Sequence, residues 1–192
     1  MRIPILHNCA RRVRRRPKHR YRLSVPMPKV HLQRRMRHAP KDMLSLVSNV
    51  ESYPEFIGLI SAVRILSRKQ ISDTREEFIA DVGIQYKFVS ETFRSQVTID
   101  HTLNTLSIER SGHGGAVRVL ENDWKFIELK DGSTLVDFKL NVRLKAMPLE
   151  FLIKQKINKA TRHIMNAFED QAAKIFTEIG DKEYDYMSEA QS

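Results

Sequence analysis

The chain has 192 residues, enough for one domain with a sizeable buried core, and no apolar run approaches the ~20 residues that a membrane-spanning helix needs. Its single cysteine, Cys9, excludes an internal disulfide, and the lack of a Cys/His cluster argues against a structural zinc site and for a reducing compartment. The net charge of +10 is concentrated: residues 1–41 hold fourteen of the 33 Lys/Arg and no acid, which leaves 19 against 23 Asp/Glu and a net of −4 elsewhere. A general affinity for nucleic acid does not follow from that distribution, and no DNA partner is expected.

Residues 1–26, with the run ARRVRRRPKHRYR, lack apolar periodicity and read as a disordered basic arm. A mitochondrial presequence, an arm touching anionic lipid or RNA, and an upstream extension with Met27 as the natural start all fit this composition. The globular domain is expected over 27–180, with a flexible tail over 181–192.

From Lys29 to His38 the chain alternates as an edge strand does, and Pro40 opens a short helix with Met43, Leu44, Val47 and Val50 on one side. A second short helix or turn, YPEFIGLI, follows, with Asn49 and Ser52 as candidate caps. The period then changes. Stretches 62–69, 76–84, 86–99, 105–110, 117–129 and 134–145 are rich in Val, Ile, Phe and Thr and are separated by turn signals such as Asp131-Gly132-Ser133. In the last stretch Thr134, Val136, Phe138, Leu140, Val142 and Leu144 alternate with mostly polar residues, which predicts a sheet with one covered face.

Residues 148–176 carry apolar side chains at helical spacing, among them Leu149, Ile153, Ile157, Ile164 and Phe168, behind a proline suited to a first turn. Such a helix is roughly 40 Å long and needs a sheet to lie on. Strand, two short helices, a run of strands and a long helix form an α+β helix-grip arrangement. A curved antiparallel sheet of six or seven strands wraps around the C-terminal helix and leaves room for a cavity.

Catalytic constellations are thin. His101, His113 and His163 are scattered, and Glu91 and Glu121 read as strand residues that face solvent or pair with Arg94 or Arg118. The aromatic set Phe56, Trp124, Phe126, Phe138 and Phe168 fits either an ordinary core or the lining of a cleft, and a buried Trp124 would need a partner for its indole N–H. Lys154, Lys156, Lys159, Arg162 and Lys174 form a polar helix face that either is solvated or rests on anionic headgroups.

The segments VSNVESYPEFIGLI, DVGIQYKFVSETFRSQVTI, RVLENDWKF and MNAFEDQAAKIF, in this order, resemble the coenzyme Q-binding branch of the START-like, polyketide-cyclase-like superfamily, which also holds the ribosome association toxins. The matching positions are Tyr53, Pro54 and Phe56; Phe93 and Ser95; Leu120, Glu121, Trp124 and Phe126; and Ala167, Phe168 and Glu169. Ile57-Gly58-Leu59-Ile60 stands where the family commonly has proline–tryptophan–cysteine, and Gly114-Gly115-Ala116-Val117 where it has glycine–proline–phenylalanine.

The resemblance implies a non-enzymatic carrier of ubiquinone or a similar polyprenyl quinone, supporting respiratory electron transport, with the quinone as bound ligand and no cofactor required. The candidate lining is Tyr53, Phe56, Trp124, Phe126, Phe138, Leu149, Ile153, Ile157 and Ile164, with residues 146–149 as a gate. Expected partners are an anionic membrane and respiratory complexes. The expected location is the cytoplasmic side of a bacterial inner membrane or the matrix side of the mitochondrial one. The alternative is a ribosome-binding factor that acts on the large subunit and hinders subunit association.

Overall fold

The computed structural model describes residues 29–86, 89–113, 115–145 and 147–189; the side chains of 86, 89, 147–155, 188 and 189, and the whole arm 1–26, lie outside that description. Seven strands form one antiparallel sheet in the order β1-β7-β6-β5-β4-β3-β2. These are β1 (Lys29–Met36), β2 (Ile60–Ser72), β3 (Arg75–Tyr86), β4 (Val89–Asp100), β5 (Thr105–Ser111), β6 (Val117–Glu128) and β7 (Thr134–Leu144). Between β1 and β2 lie α1 (Pro40–Ser48), a 3-10 turn (Val50–Ser52) and α2 (Tyr53–Phe56); α3 (Met147–Ile175) crosses the concave face, and α4 (Tyr186–Glu189) follows. The expected helix-grip fold is present, with seven strands.

Hairpin chemistry sets the strand order. Asp100 Oδ1 accepts the N–H groups of Thr102 and Leu103 at 3.0 Å each, and Asn104 takes a positive φ of 49° to turn β4 into β5. Gly132, at φ 81°, closes the β6–β7 hairpin. Register shifts between Ile60/Ala62, Ile65/Ser67 and Gln70/Ser72 on β2 mark bulges, which bend and twist that strand around the helix. Asn49 and Ser52 occupy the expected junction but make no side-chain cap; the Ser52 hydroxyl instead donates back to the Asn49 carbonyl at 2.8 Å.

The concave face divides along its length. At one end Phe78, Val97, Ile99, Leu106, Phe126 and Val136 are fully buried beneath Met165, Phe168 and Ala172 of α3 and Met43 and Val47 of α1. Polar ties hold the same end of the helix to β1. Arg34 bonds Asn166 and Glu169, and Arg37 reaches Glu178 at 2.6 Å.

The chain beyond α3 is clamped as well. Arg35 donates to Ser133 Oγ at 2.9 Å, to Asp131 and to the Asp181 carbonyl, and its guanidinium lies 5.4 Å from the centre of the Tyr184 ring. The segment read as a tail from Asp181 onward thus begins with anchored residues. Burial pushes the Asp131 carboxyl up, but bonds from the Ser133 hydroxyl and N–H and from Arg35 outweigh it and hold the group below the usual carboxylate range.

Gly180 is required at this clamp: its φ is +78°, and an added Cβ would lie 2.4 Å from Asp131 Oδ2. Gly180→Ala should lower stability by about 1–3 kcal/mol, read as a shifted urea midpoint. The Asp131 contribution is complete above the carboxyl's unfolded pKa and disappears as pH falls through its lower folded value. The stability gap between wild type and Asp131→Asn should therefore be widest near neutrality and close in acid, and a gap that widens in acid would contradict this assignment.

Candidate functional site

Strand parity and register place the even-numbered residues of β6 and β7 on the concave face, since Trp124 pairs with Phe138 and both rings meet under the helix. The Trp124 ring lies 4.6 Å from Phe138, 5.2 Å from Phe168 and 6.2 Å from Phe126; Phe168 lies 5.2 Å from Tyr53 and 5.3 Å from Phe56. Most of these contacts are edge to face, the arrangement aromatic quadrupoles favour. The Trp124 indole N–H donates to Asn122 Oδ1 at 2.8 Å, and Asn122 Nδ2 donates to the Lys139 carbonyl at 3.0 Å, so the buried polar tip has the partner it needs. Tyr53 donates to the Val47 carbonyl, and burial raises its phenol far above its ordinary pKa. Tyr53, Phe56, Trp124, Phe126 and Phe138 are therefore brought together around Phe168 as a filled aromatic core.

The other predicted lining residues lie along α3. Ile157 is buried and Ile164 half-buried on its sheet-facing side; Leu149 and Ile153 fall in the first turns, whose side chains are outside the described residues, as does part of the segment read as a gate.

Toward the end of the sheet where β7 leads into α3, the same concave face is mostly apolar, with Glu91 and Arg110 at its edge, and is no longer closed. Val63, Val82, Ile84, Phe93, Leu120 and Val142 are all half-buried. Their register joins them into two patches on either side of β5: Val63 pairs with Val82, Val82 with Phe93 and Ile60 with Ile84 on one side, and Leu120 with Val142 on the other. Periodicity identified the face that these residues share. It does not register how deeply each position along the groove is covered, so the sequence drew attention to the large aromatics instead.

Glu91 accepts the Ala116 N–H at 3.3 Å, and Glu121 accepts Asn141 Nδ2 at 2.6 Å. Arg94, one expected partner, bonds Asp81 through two nitrogens at 2.7 and 3.0 Å, and that hydrogen bond draws the Asp81 carboxyl below its usual range. Asp81 and Arg94, with Phe93, Arg110 and His113, line a depression of about 290 Å³. Among the described residues no cluster of three or more His, Cys, Asp or Glu is placed to hold a metal ion, and no helix is long and apolar enough to cross a membrane.

The core and the groove separate experimentally. Trp124→Ala should cost about 3–5 kcal/mol through the cavity it opens, whereas Leu120→Ala, at a half-buried site, should cost clearly less in the same urea titration.

Comparison with known proteins agrees with this geometry. Residues 36–169 match the family model described as polyketide cyclase/dehydrase and lipid transport. The ribosome association toxin RatA of Rickettsia prowazekii is 31% identical over 139 residues, spanning 72% of this chain and 91% of that protein. Among solved structures, the Zhui aromatase/cyclase of a Streptomyces species superposes with a TM-score of 0.66 at 11% identity, covering 77% of this chain and 94% of that one. A START superfamily protein of Mycobacterium smegmatis gives 0.63 at 19% identity, covering 77% and 98%. With its seven strands gripping a long C-terminal helix above an apolar groove, the chain belongs to the polyketide cyclase/dehydrase and lipid transport family.

Proposed function

We propose that this protein binds a polyprenyl quinone of the ubiquinone type in the open half of the groove and carries it, without chemistry on the ligand, between a membrane and respiratory complexes. The observation that carries the reading is the floor of half-buried apolar residues, Val63, Val82, Ile84, Phe93, Leu120 and Val142, beside the closed aromatic core. A prenyl tail laid on that floor gains about 0.8 kcal/mol for each CH₂ removed from water. The core supplies a rigid end wall. On the outer side of α3, Lys156, Lys159 and Arg162 are exposed and suit a surface of anionic headgroups, each worth on the order of 1 kcal/mol close to it. On this reading the carrier works peripherally at the inner membrane of a bacterium, with the matrix side of the mitochondrial inner membrane as the alternative.

The test is organic extraction of the full chain, purified from a quinone-containing host, followed by mass spectrometry. Wild type should yield near-stoichiometric quinone, and Ile84→Asp and Leu120→Asp should lose at least tenfold while keeping the wild-type circular dichroism. An empty extract, together with added quinone that fails to quench Trp124 fluorescence, would sink the carrier reading.

A second reading rests on the name of the Rickettsia relative, which spans nearly the whole folded part of this chain. In it the protein binds the large ribosomal subunit and hinders subunit association, with the exposed basic residues of α3 against RNA phosphates. Binding of that kind should fall steeply between about 50 and 200 mM salt in co-sedimentation, and reversing Lys156, Lys159 and Arg162 to Glu should abolish it.

A further inference from the structure

The boundary between the closed and open halves of the groove carries a polar atom that the rest of the fold does not explain. Ser95 sits on β4 with the parity of Phe93, Val97 and Ile99, so it faces the helix-covered side. Only 1% of the residue is exposed, and its hydroxyl has no hydrogen-bond partner among the described residues. A buried hydroxyl left unpaired costs stability, and replacement by a methyl group would remove that cost. Its register neighbour on β3 is Ala80, also buried, so two small side chains stand side by side. On either side of this pair the floor is large: Phe78 and Val97 pair toward the core, and Val82 and Phe93 pair toward the opening. The small pair lowers the side-chain layer at the inner limit of the open groove, and this hollow is closed to solvent in the ligand-free protein, since Ser95 and Ala80 are each only 1% exposed.

The neighbouring strand indicates what charge this hollow accepts. Arg110 pairs with Ser95 across β4 and β5, but its Nη1 donates to the Gly112 carbonyl at 2.5 Å, and the residue lines the depression with Asp81, Arg94 and His113. On β3 and β4 the Ser95 hydroxyl is flanked by apolar side chains, and the Arg110 guanidinium on the same face of β5 is engaged by the Gly112 carbonyl, so the O–H is left to meet an uncharged acceptor such as a ketone. Thr161, the other deeply buried hydroxyl without a partner among the described residues, is on α3 and lines a separate depression with Val30, Leu32, Asn158 and Arg162 at the β1 edge.

We infer that Ser95 is the headgroup anchor of this site: the ligand enters ring first, one ring carbonyl accepts the Ser95 O–H in the hollow beside Ala80, and the prenyl tail runs outward over Val82, Phe93 and Leu120. The inference rests on the quinone-carrier reading and adds orientation and a specificity determinant to it.

Two probes separate the two claims. The full-length wild type, Ser95→Ala and Thr161→Val are titrated with a short-tailed ubiquinone carrying ¹³C-labelled carbonyls and with an all-hydrocarbon prenyl chain of the same tail length. Binding is followed by Trp124 quenching, and the labelled carbonyl stretch by infrared difference spectroscopy. In the wild type the bound carbonyl band should lie below its position in hexane. In Ser95→Ala it should return to the hexane value, quinone affinity should fall roughly 3- to 10-fold, and hydrocarbon affinity should not change. Thr161→Val should keep the wild-type band. Ligand-free Ser95→Ala should melt at the wild-type temperature or above it, because the lost hydroxyl was unpaired.

A shifted band that survives Ser95→Ala, a band unshifted in the wild type, or a lowered melting temperature of ligand-free Ser95→Ala would each overturn the anchor while leaving the carrier intact. Failure of both probes to bind the wild type would overturn the anchor and the carrier together.

Discussion

Phe168 is the contact on which the arrangement turns. Its ring meets Trp124 of the sheet, Tyr53 and Phe56 of the α2 region, and through them the α1 layer, so one side chain of α3 ties three layers together. A 29-residue helix gripped at that point by packing, and at Asn166, Glu169 and the segment just beyond it by the β1 arginines, has a fixed end. Fixing one end decides where a cavity can be. The groove is filled where Phe168 inserts, and any ligand must occupy the half into which β7 feeds the helix.

Much of this fold was legible because its signals are periodic. The alternation of Thr134 through Leu144 and the three-and-four spacing of Ile157, Ile164 and Phe168 depend on the direction in which each side chain leaves the backbone, and that direction repeats regularly in strands and helices. The bond from Trp124 to Asn122 followed from one requirement, that a buried indole N–H be satisfied. The candidate site was less legible. Large aromatics mark the interior, yet an aromatic in a filled core and one in a ligand wall have the same periodicity and the same neighbours in sequence. What separates Phe126 from Phe93 is how fully each is covered, which depends on residues distant in the chain. The C-terminal clamp was equally hidden. Arg35, Asp131, Ser133 and Gly180 come together only after β1, the β6–β7 turn and the end of α3 have assembled.

The charges of the chain sort by role in the same way. Arginines 34, 35 and 37 belong to the basic N-terminal stretch by composition, but in the fold they meet Glu169, Asp131 and Glu178. Part of the apparent excess of positive charge is therefore structural. Of the cations facing outward on α3, Lys156, Lys159 and Arg162 precede that acidic region along the helix and Lys174 follows it, so most of the exposed positive charge lies toward the end that overlies the open groove. A surface basic at the mouth and neutralised at the anchor orients the molecule toward a negatively charged partner before any short-range contact forms.

The distribution of polar groups along the concave face bears on how that face could hold a ligand. The concave face holds few polar groups, and most have partners inside the protein: Asn122 supports Trp124, Glu91 holds the Ala116 N–H, and Arg110 reaches the Gly112 carbonyl. In the anchor proposed above, the Ser95 hydroxyl provides direction, because it distinguishes the oxygenated end of an amphiphile from its hydrocarbon end. If Ser95 anchors a ligand as proposed, binding removes the cost of leaving its hydroxyl unpaired.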